Sequence, residues 1–152
     1  PDIIITAGAP EEVVASGDRV ELFFSRDPEM KDYYCLEIDP RGKVLDYRAS
    51  FYRRFDNSWD LAGLRTAGSL TGEGYTVEAA IPVSWLEESG LSGTARRDGI
   101  FAGIYRAEFS RAGDGGISES WITWKDPGSR AADFHIPSSL GLLILESCQP
   151  AR

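Results

Sequence analysis

One histidine, one methionine and two cysteines are all that this chain of 152 residues offers to a soft metal or to nucleophilic catalysis. Zinc sites made of four cysteines, or of two cysteines and two histidines, cannot be assembled from that inventory. Positive charge is scarce too: 16 Lys and Arg stand against 24 Asp and Glu, a formal net charge of −8. A surface of that sign is not built to neutralise phosphates or anionic lipid, so nucleic acid is not an expected partner. No apolar run approaches the roughly 20 residues that span a bilayer. Nor does a basic stretch followed by an apolar one open the chain, and no membrane partner is expected. Phosphate loops of the GxxxxGK[ST] type and Gly-x-Ser-x-Gly elbows are absent from the sequence, which removes two common enzyme signatures.

What remains is ordinary globular material, 42% hydrophobic and 26% charged, enough for one domain over 1–152. Short alternating segments are cut by Gly, Pro, Asp and Asn. Residues 20–25 read as a strand. Segments 32–39 and 43–48 read as a hairpin around Pro40-Arg41-Gly42, a tight-turn sequence. Segments 59–67 and 75–81 form a second pair, 100–110 and 117–124 a third, and 141–146 a last strand. Only 83–88, between Pro82 and Gly90, reads as a helix. This spacing predicts an all-β antiparallel β-sandwich, jelly-roll or immunoglobulin-like, with two sheets and one short helix; crossover helices for a parallel sheet are missing. Before residue 15 there is one strand-like run, Ile3 to Thr6, where a complete sandwich would want more.

The ordered motifs resemble carbohydrate-binding module family 9. They are Asp18-Arg19-Val20-Glu21-Leu22-Phe23, Tyr33-Tyr34 with Glu37-Ile38-Asp39-Pro40 and Gly42, the GYTVEAAIP run at 74–82, WITWKDP at 121–127, and Asp133-Phe134-His135-Ile136-Pro137 with Gly141. The resemblance implies a non-catalytic domain that grips a terminal sugar between two tryptophans and hydrogen-bonds its hydroxyls with acidic, basic and amide side chains. It also implies further N-terminal strands that this chain would lack, and structural calcium. Carried over by position, the acidic ligand falls at Glu21 and the second clamp aromatic at or beside Phe134. Ala15 stands where the first clamp tryptophan would be. Glu37, about Ser118 and about Ala131 stand where the resemblance expects two arginines and an asparagine.

Read as residues, Glu21, Glu37 and Asp39 alternate with apolar neighbours and could share a sheet face with Arg48, Arg106 and Glu108. That face would be either a polyol or cation site, or a solvated surface balanced by ion pairs with Arg106 neutralising Glu21 or Glu37. Trp121 and Trp124 have opposite parity, so one points inward; the outward one, or Trp59 in its loop-like stretch, is the candidate for stacking on a sugar. Trp85 reads as a plug at one end of the sandwich, Cys35 as a small buried residue and Cys148 as exposed or trimmed. His135 is read as a structural histidine or a polar contact beside Phe134. Met30 with His135 is the only pair that could hold haem b, and Asp27, Glu29 and Asp32 the loop that could hold calcium.

The expected function is therefore saccharide or polyol binding. Glu21 and Glu37 would accept from hydroxyls, Arg106 would donate, Phe134 and Trp121 or Trp124 would stack, and His135 would add a polar contact. No catalytic residue and no required cofactor are expected, and no metal ligand is assigned. The chain is expected to be an excised or processed part of a larger exported protein, extracellular or periplasmic, fused to or associated with a carbohydrate-active enzyme. The alternatives are a structural or protein-interaction sandwich that has lost its sugar clamp, and a haem b electron-transfer domain.

Overall fold

The computed structural model describes residues 2–91 and 99–145, which leaves Cys148 outside the described residues. Its strands are β1 (Arg19–Ser25), β2 (Asp32–Ile38), β3 (Val44–Ser50), β4 (Arg54–Asp56), β5 (Arg65–Leu70), β6 (Tyr75–Ala80), β7 (Ile100–Arg111), β8 (Ile117–Thr123) and β9 (Gly141–Leu143), with helix α1 at Val83–Glu88. Two antiparallel sheets form. The larger runs β4-β3-β2-β1-β7-β8, with β9 pairing the start of β7, and the smaller is the β5-β6 hairpin. The architecture is all-β.

The central strands carry apolar residues at both parities, so the larger sheet buries both faces. On the first face Phe23, Tyr33, Cys35, Tyr47 and Tyr105 pack with Val14, Met30, Phe134 and Leu140. On the second, Phe24, Tyr34, Leu36 and Ala102 pack with Leu61, Leu86 and Leu91. Fully burying one such side chain contributes about 1.5–3 kcal/mol, and Phe23, Tyr33 and Leu36 are each 0% exposed.

The β2–β3 turn is built by Asp39. Its Oδ1 accepts from Arg41 N and Lys43 N, each at 2.8 Å, and Gly42 supplies the positive φ of 85°. The turn rests on β5. A Cβ at Gly68 would lie 2.3 Å from Pro40 O, a distance only glycine permits, and the Thr66 hydroxyl donates to Gly42 O at 2.6 Å.

Two expected strands differ. Residues 59–64 are irregular, and the strand begins at Arg65. The apolar alternation there marks a loop that plugs the second face: Trp59 packs on Tyr34 and Trp85 with ring centroids 4.9 and 6.0 Å apart, while Leu61 N donates to Asp46 Oδ2 at 2.6 Å. Trp59 is thus taken up by the core and is not a stacking surface. The Ile3 to Thr6 run forms no ladder. It is held by Asp18, whose N donates to Ile4 O at 2.8 Å, whose Oδ2 accepts from Ile4 N and whose Oδ1 accepts from Phe109 N at 2.9 Å.

Candidate functional site

Register decides which charges meet. Cross-strand partners project to the same side of a sheet, and β1 pairs with β2 so that Glu21 faces Glu37, and with β7 so that Glu21 faces Tyr105. Arg19, two residues before Glu21, shares that face. There the first face stops being apolar and opens as a cleft of about 330 Å³ lined by Glu12, Ala15, Arg19, Glu21, Glu37, Tyr47, Arg53, Phe55, Asn57, Trp121, Phe134 and His135, among others. Ligand sites typically enclose about 300–1,000 Å³.

The floor is a buried charge triad. Arg19 Nε donates to Glu21 Oε1 at 2.9 Å, and its Nη2 lies 2.8 Å from the same oxygen. Arg19 Nε also lies 2.8 Å from Glu37 Oε2. That contact is an ion pair without hydrogen-bond alignment, and Glu37 Oε2 is left buried with no hydrogen-bond partner. Glu37 Oε1 accepts from the Tyr47 hydroxyl at 2.9 Å. Arg19 Nη1 donates to Ala15 O and Gly17 O. Burial raises the proton affinity of both acids; for Glu21 the neighbouring Glu37 adds to it and Arg19 opposes it, leaving its pKa at about 8. Glu37 is raised by burial against the pull of Arg19 and Tyr47.

Aromatic rings form the walls. The Arg19 guanidinium lies 5.2 Å from the Trp121 ring centroid, and Trp121 meets Phe134 edge-on at 4.7 Å. Phe134 is only 5% exposed and stacks on Tyr105 at 4.2 Å, so one of its ring faces is already occupied. Phe55, 48% exposed, packs its ring against Tyr47 and His135 and presents the more open surface.

The rim is closed by ties between the β3–β4 turn and the segment before His135. Asp133 accepts from the Tyr52 hydroxyl at 2.6 Å, from Arg53 Nη2 at 2.9 Å and from His135 N at 3.1 Å. His135 Nδ1 lies 2.9 Å from the Tyr33 hydroxyl. Burial, helped by Arg53 and opposed by Asp133, pulls the imidazole pKa from 6.5 to about 4. At neutral pH it is uncharged and shares a hydrogen bond with Tyr33.

Five of the expected binding residues therefore line one cleft: Glu21, Glu37, Trp121, Phe134 and His135. Two do not. Arg106 faces Val20 and Ile122 across its strand pairs, placing it on the second face, where it pairs with Glu108 and lies 3.9 Å from the Tyr75 ring centroid. Trp124 follows β8 on that same side, beside Gly141. Arg48 and Glu108 also lie on the second face, and Asp39 serves its turn. The cation between Glu21 and Glu37 is Arg19, and its position two residues from Glu21 on a strand was the available signal. Arg53, Phe55 and Asn57 carry no such signal, because β4 and the residues on either side of it bring them to the cleft, while Tyr47 reaches it from β3, opposite Cys35.

Other ligands fit less well. In the 27–32 loop, Asp27 Oδ1 accepts from Glu29 N and Lys31 N, and Asp32 Oδ1 from Arg48 and Ser50, and among the described residues Asp27, Glu29 and Asp32 do not bring three carboxylates within 4.8 Å of one another. Carboxylates of Glu11, Asp46 and Asp60 do approach within 4.8 Å of one another, although Asp46 Oδ2 is bonded to Leu61 N. Met30 is sealed in the first-face core and does not line the cleft with His135, so the cleft does not present the pair to a haem iron. A roomier groove of about 410 Å³ on the second face is walled by Leu22, Phe24, Leu86, Ile100 and Leu143 and their like; it lacks the converging polar groups that orient a ligand.

The chain is thus a two-sheet antiparallel domain with a half-polar, aromatic-walled cleft on its main sheet. The chain belongs to the carbohydrate family 9 binding domain-like family, whose model matches residues 9–148. Among solved structures it is similar to one described as a "putative carbohydrate-binding protein" from Bacteroides uniformis, with 22% identity and a TM-score of 0.57, covering 86% of this chain and 62% of that one. The chain thus spans less than two thirds of that protein, and at this identity the likeness is one of fold. No curated protein matches the chain.

Proposed function

We propose that this domain binds a saccharide, without catalysis, in the cleft over Arg19, Glu21 and Glu37. The observation that carries the reading is the combination of two carboxylates, 3% and 5% exposed, with Trp121 and Phe55 on the walls of one cleft. Pyranose rings present apolar C–H faces that suit aromatic surfaces, and their hydroxyls suit charged acceptors. Family membership supports the same ligand class.

Hydrolysis is disfavoured by the placement of the acids. Glycosidase carboxylates flank the scissile bond from two sides, whereas Glu21 and Glu37 are neighbours on one floor, tied to one guanidinium. His135 offers no triad either, since its Nδ1 meets Tyr33 and Asp133 takes its backbone N–H. Among the described residues no helix is long and apolar enough to cross a membrane; an exported parent protein carrying a carbohydrate-active enzyme is the setting that fits this reading. One observation favours a domain that has kept the fold and lost its ligand: Ala15 lines the cleft and Phe134 is spent on Tyr105.

Calorimetric titration of the folded chain with a panel of mono- and oligosaccharides separates these. Millimolar or tighter binding that Trp121→Ala weakens is expected. A folded protein that binds no sugar at millimolar concentration overturns the proposal in favour of the structural reading.

A further inference from the structure

The donors and acceptors of the cleft floor are unequal. All three nitrogens of Arg19 are engaged, by Glu21, Glu37 and the carbonyls of Ala15 and Gly17. Arg53 is engaged by Asp133 and Tyr52, and the Tyr47 hydroxyl donates to Glu37. Between the two glutamates the floor offers acceptors and negative charge. Glu37 Oε2 is buried without an aligned hydrogen bond, its one partner being the Arg19 Nε ion pair at 2.8 Å that Arg19 shares with Glu21. The charges are unequal in the same sense. Glu12, Glu21 and Glu37 line the cleft against Arg19 and Arg53, and Arg53 is already paired with Asp133.

A neutral hydroxyl brings such a floor one donor and no charge. An ammonium group has three donors and no acceptor, and it supplies the charge that one arginine shared by two glutamates lacks. We propose that the saccharide held here is an amino sugar whose protonated amine sits on Glu21 and Glu37, with its ring against Trp121 and Phe55. This rests on the saccharide-binding reading above and narrows it to a cationic ligand.

The groups facing these acids are Arg19 on β1, Cys35 on β2, Tyr47 on β3, Tyr105 on β7, Glu119 on β8 and Glu12 from the first 3-10 turn. Arg53 and His135 face the same cleft from its rim; the cations are Arg19 and Arg53, and Arg53 is paired with Asp133. Burial, with Glu37 adding to it at Glu21, raises the proton affinity of both acids, so an ammonium that pairs with their carboxylates would displace a proton held there.

The test is calorimetry of the whole chain with the 2-amino-2-deoxy forms of glucose, galactose and mannose, each against its parent hexose, with N-acetylglucosamine and glucuronate as controls. Charge-assisted hydrogen bonds are roughly twice as strong as neutral ones. The amine is therefore expected to improve affinity about tenfold within at least one pair, equivalent to about 1.4 kcal/mol. N-acetylation should abolish the gain, and glucuronate should bind more weakly than glucose. Repeating the titration in buffers of different ionisation heat should show proton release. In Glu37→Gln the preference should shrink toward equality. Hexoses that bind as well as their amino counterparts overturn the amine assignment and leave saccharide binding standing. A folded protein that binds neither kind overturns both.

Discussion

His135 gives the chain a defined acid weakness. In the folded state its ring is 9% exposed, packed among Phe23, Tyr33, Tyr47 and Phe55, and burial lowers its pKa from 6.5 to about 4. The unfolded chain takes up the proton at the higher pH and the folded chain only at the lower one. Stability from this group is therefore complete above pH 6.5 and is lost as pH falls toward 4. At about 1.36 kcal/mol per pH unit, the loss is about 3 kcal/mol, a large share of the 5–15 kcal/mol typical of a domain. Glu21 and Glu37 act in the opposite sense. Their folded pKa values lie above the unfolded ones, so they contribute stability at low pH that is lost as pH rises through the range from about 4.5 to 8. The two effects separate in a double difference. Urea unfolding is measured at pH 7 and pH 4.5 for the wild type and His135→Gln, whose amide can still share a hydrogen bond with Tyr33. The wild type should lose about 2–3 kcal/mol more than the variant between the two pH values. Equal pH dependence in both proteins would refute a neutral, buried histidine.

Removing the cation of the floor with Arg19→Met should cost about 3–5 kcal/mol at neutral pH, because the buried Glu21–Glu37 pair loses the charge that offsets its burial, and the deficit should grow as pH rises through about 8, where Glu21 ionises; chemical denaturation on either side of that pH reads it. Gly68→Ala places a methyl group against Pro40 O and should destabilise by about 1–3 kcal/mol with a detectable fall in Tm, while Gly72→Ala, with open space around it, should lose less than about 1 kcal/mol. Tyr105→Phe removes the hydroxyl that donates to Ser139 O at 3.0 Å and should cost about 1 kcal/mol, with sugar affinity unchanged; a larger affinity loss would mean that the Tyr105–Phe134 stack positions the ligand.

The strands were largely legible because each central one combines alternation with β-branched or aromatic residues, and β1, β2, β3, β7 and β8 fall where the pattern put them. The 59–64 segment misled for a physical reason: Trp59 and Leu61 alternate as strand residues do, yet each fills the second face from a loop, and Asp46 satisfies the backbone there. At the site, parity allowed Glu21 and Glu37 to share one face and left Trp121 and Trp124 undecided, because parity within a strand does not say which face of its neighbour it joins. Arg106 shares a face with Glu108, and only the register against Val20 shows that this face is turned away from Glu21. Arg53 and Phe55 depend on a turn and a three-residue strand, β4, that no periodicity announces.

The same register explains why the acids stay together at all. Two glutamates directly opposite on neighbouring strands repel, and placing them in a core without a partner would cost several kcal/mol. Arg19 on the same strand face relieves this, but its Nε cannot align with both carboxylates: it bonds Glu21 and leaves Glu37 Oε2 unsatisfied. A structural triad would be expected to close that last bond, as buried polar groups ordinarily do. That oxygen, ion-paired with Arg19 at 2.8 Å but without an aligned hydrogen bond, belongs to a side chain that lines the aromatic-walled cleft, where a donating ligand would complete it. The incomplete triad is thus more consistent with a floor shaped for an incoming donor than with an ion pair kept only for the fold.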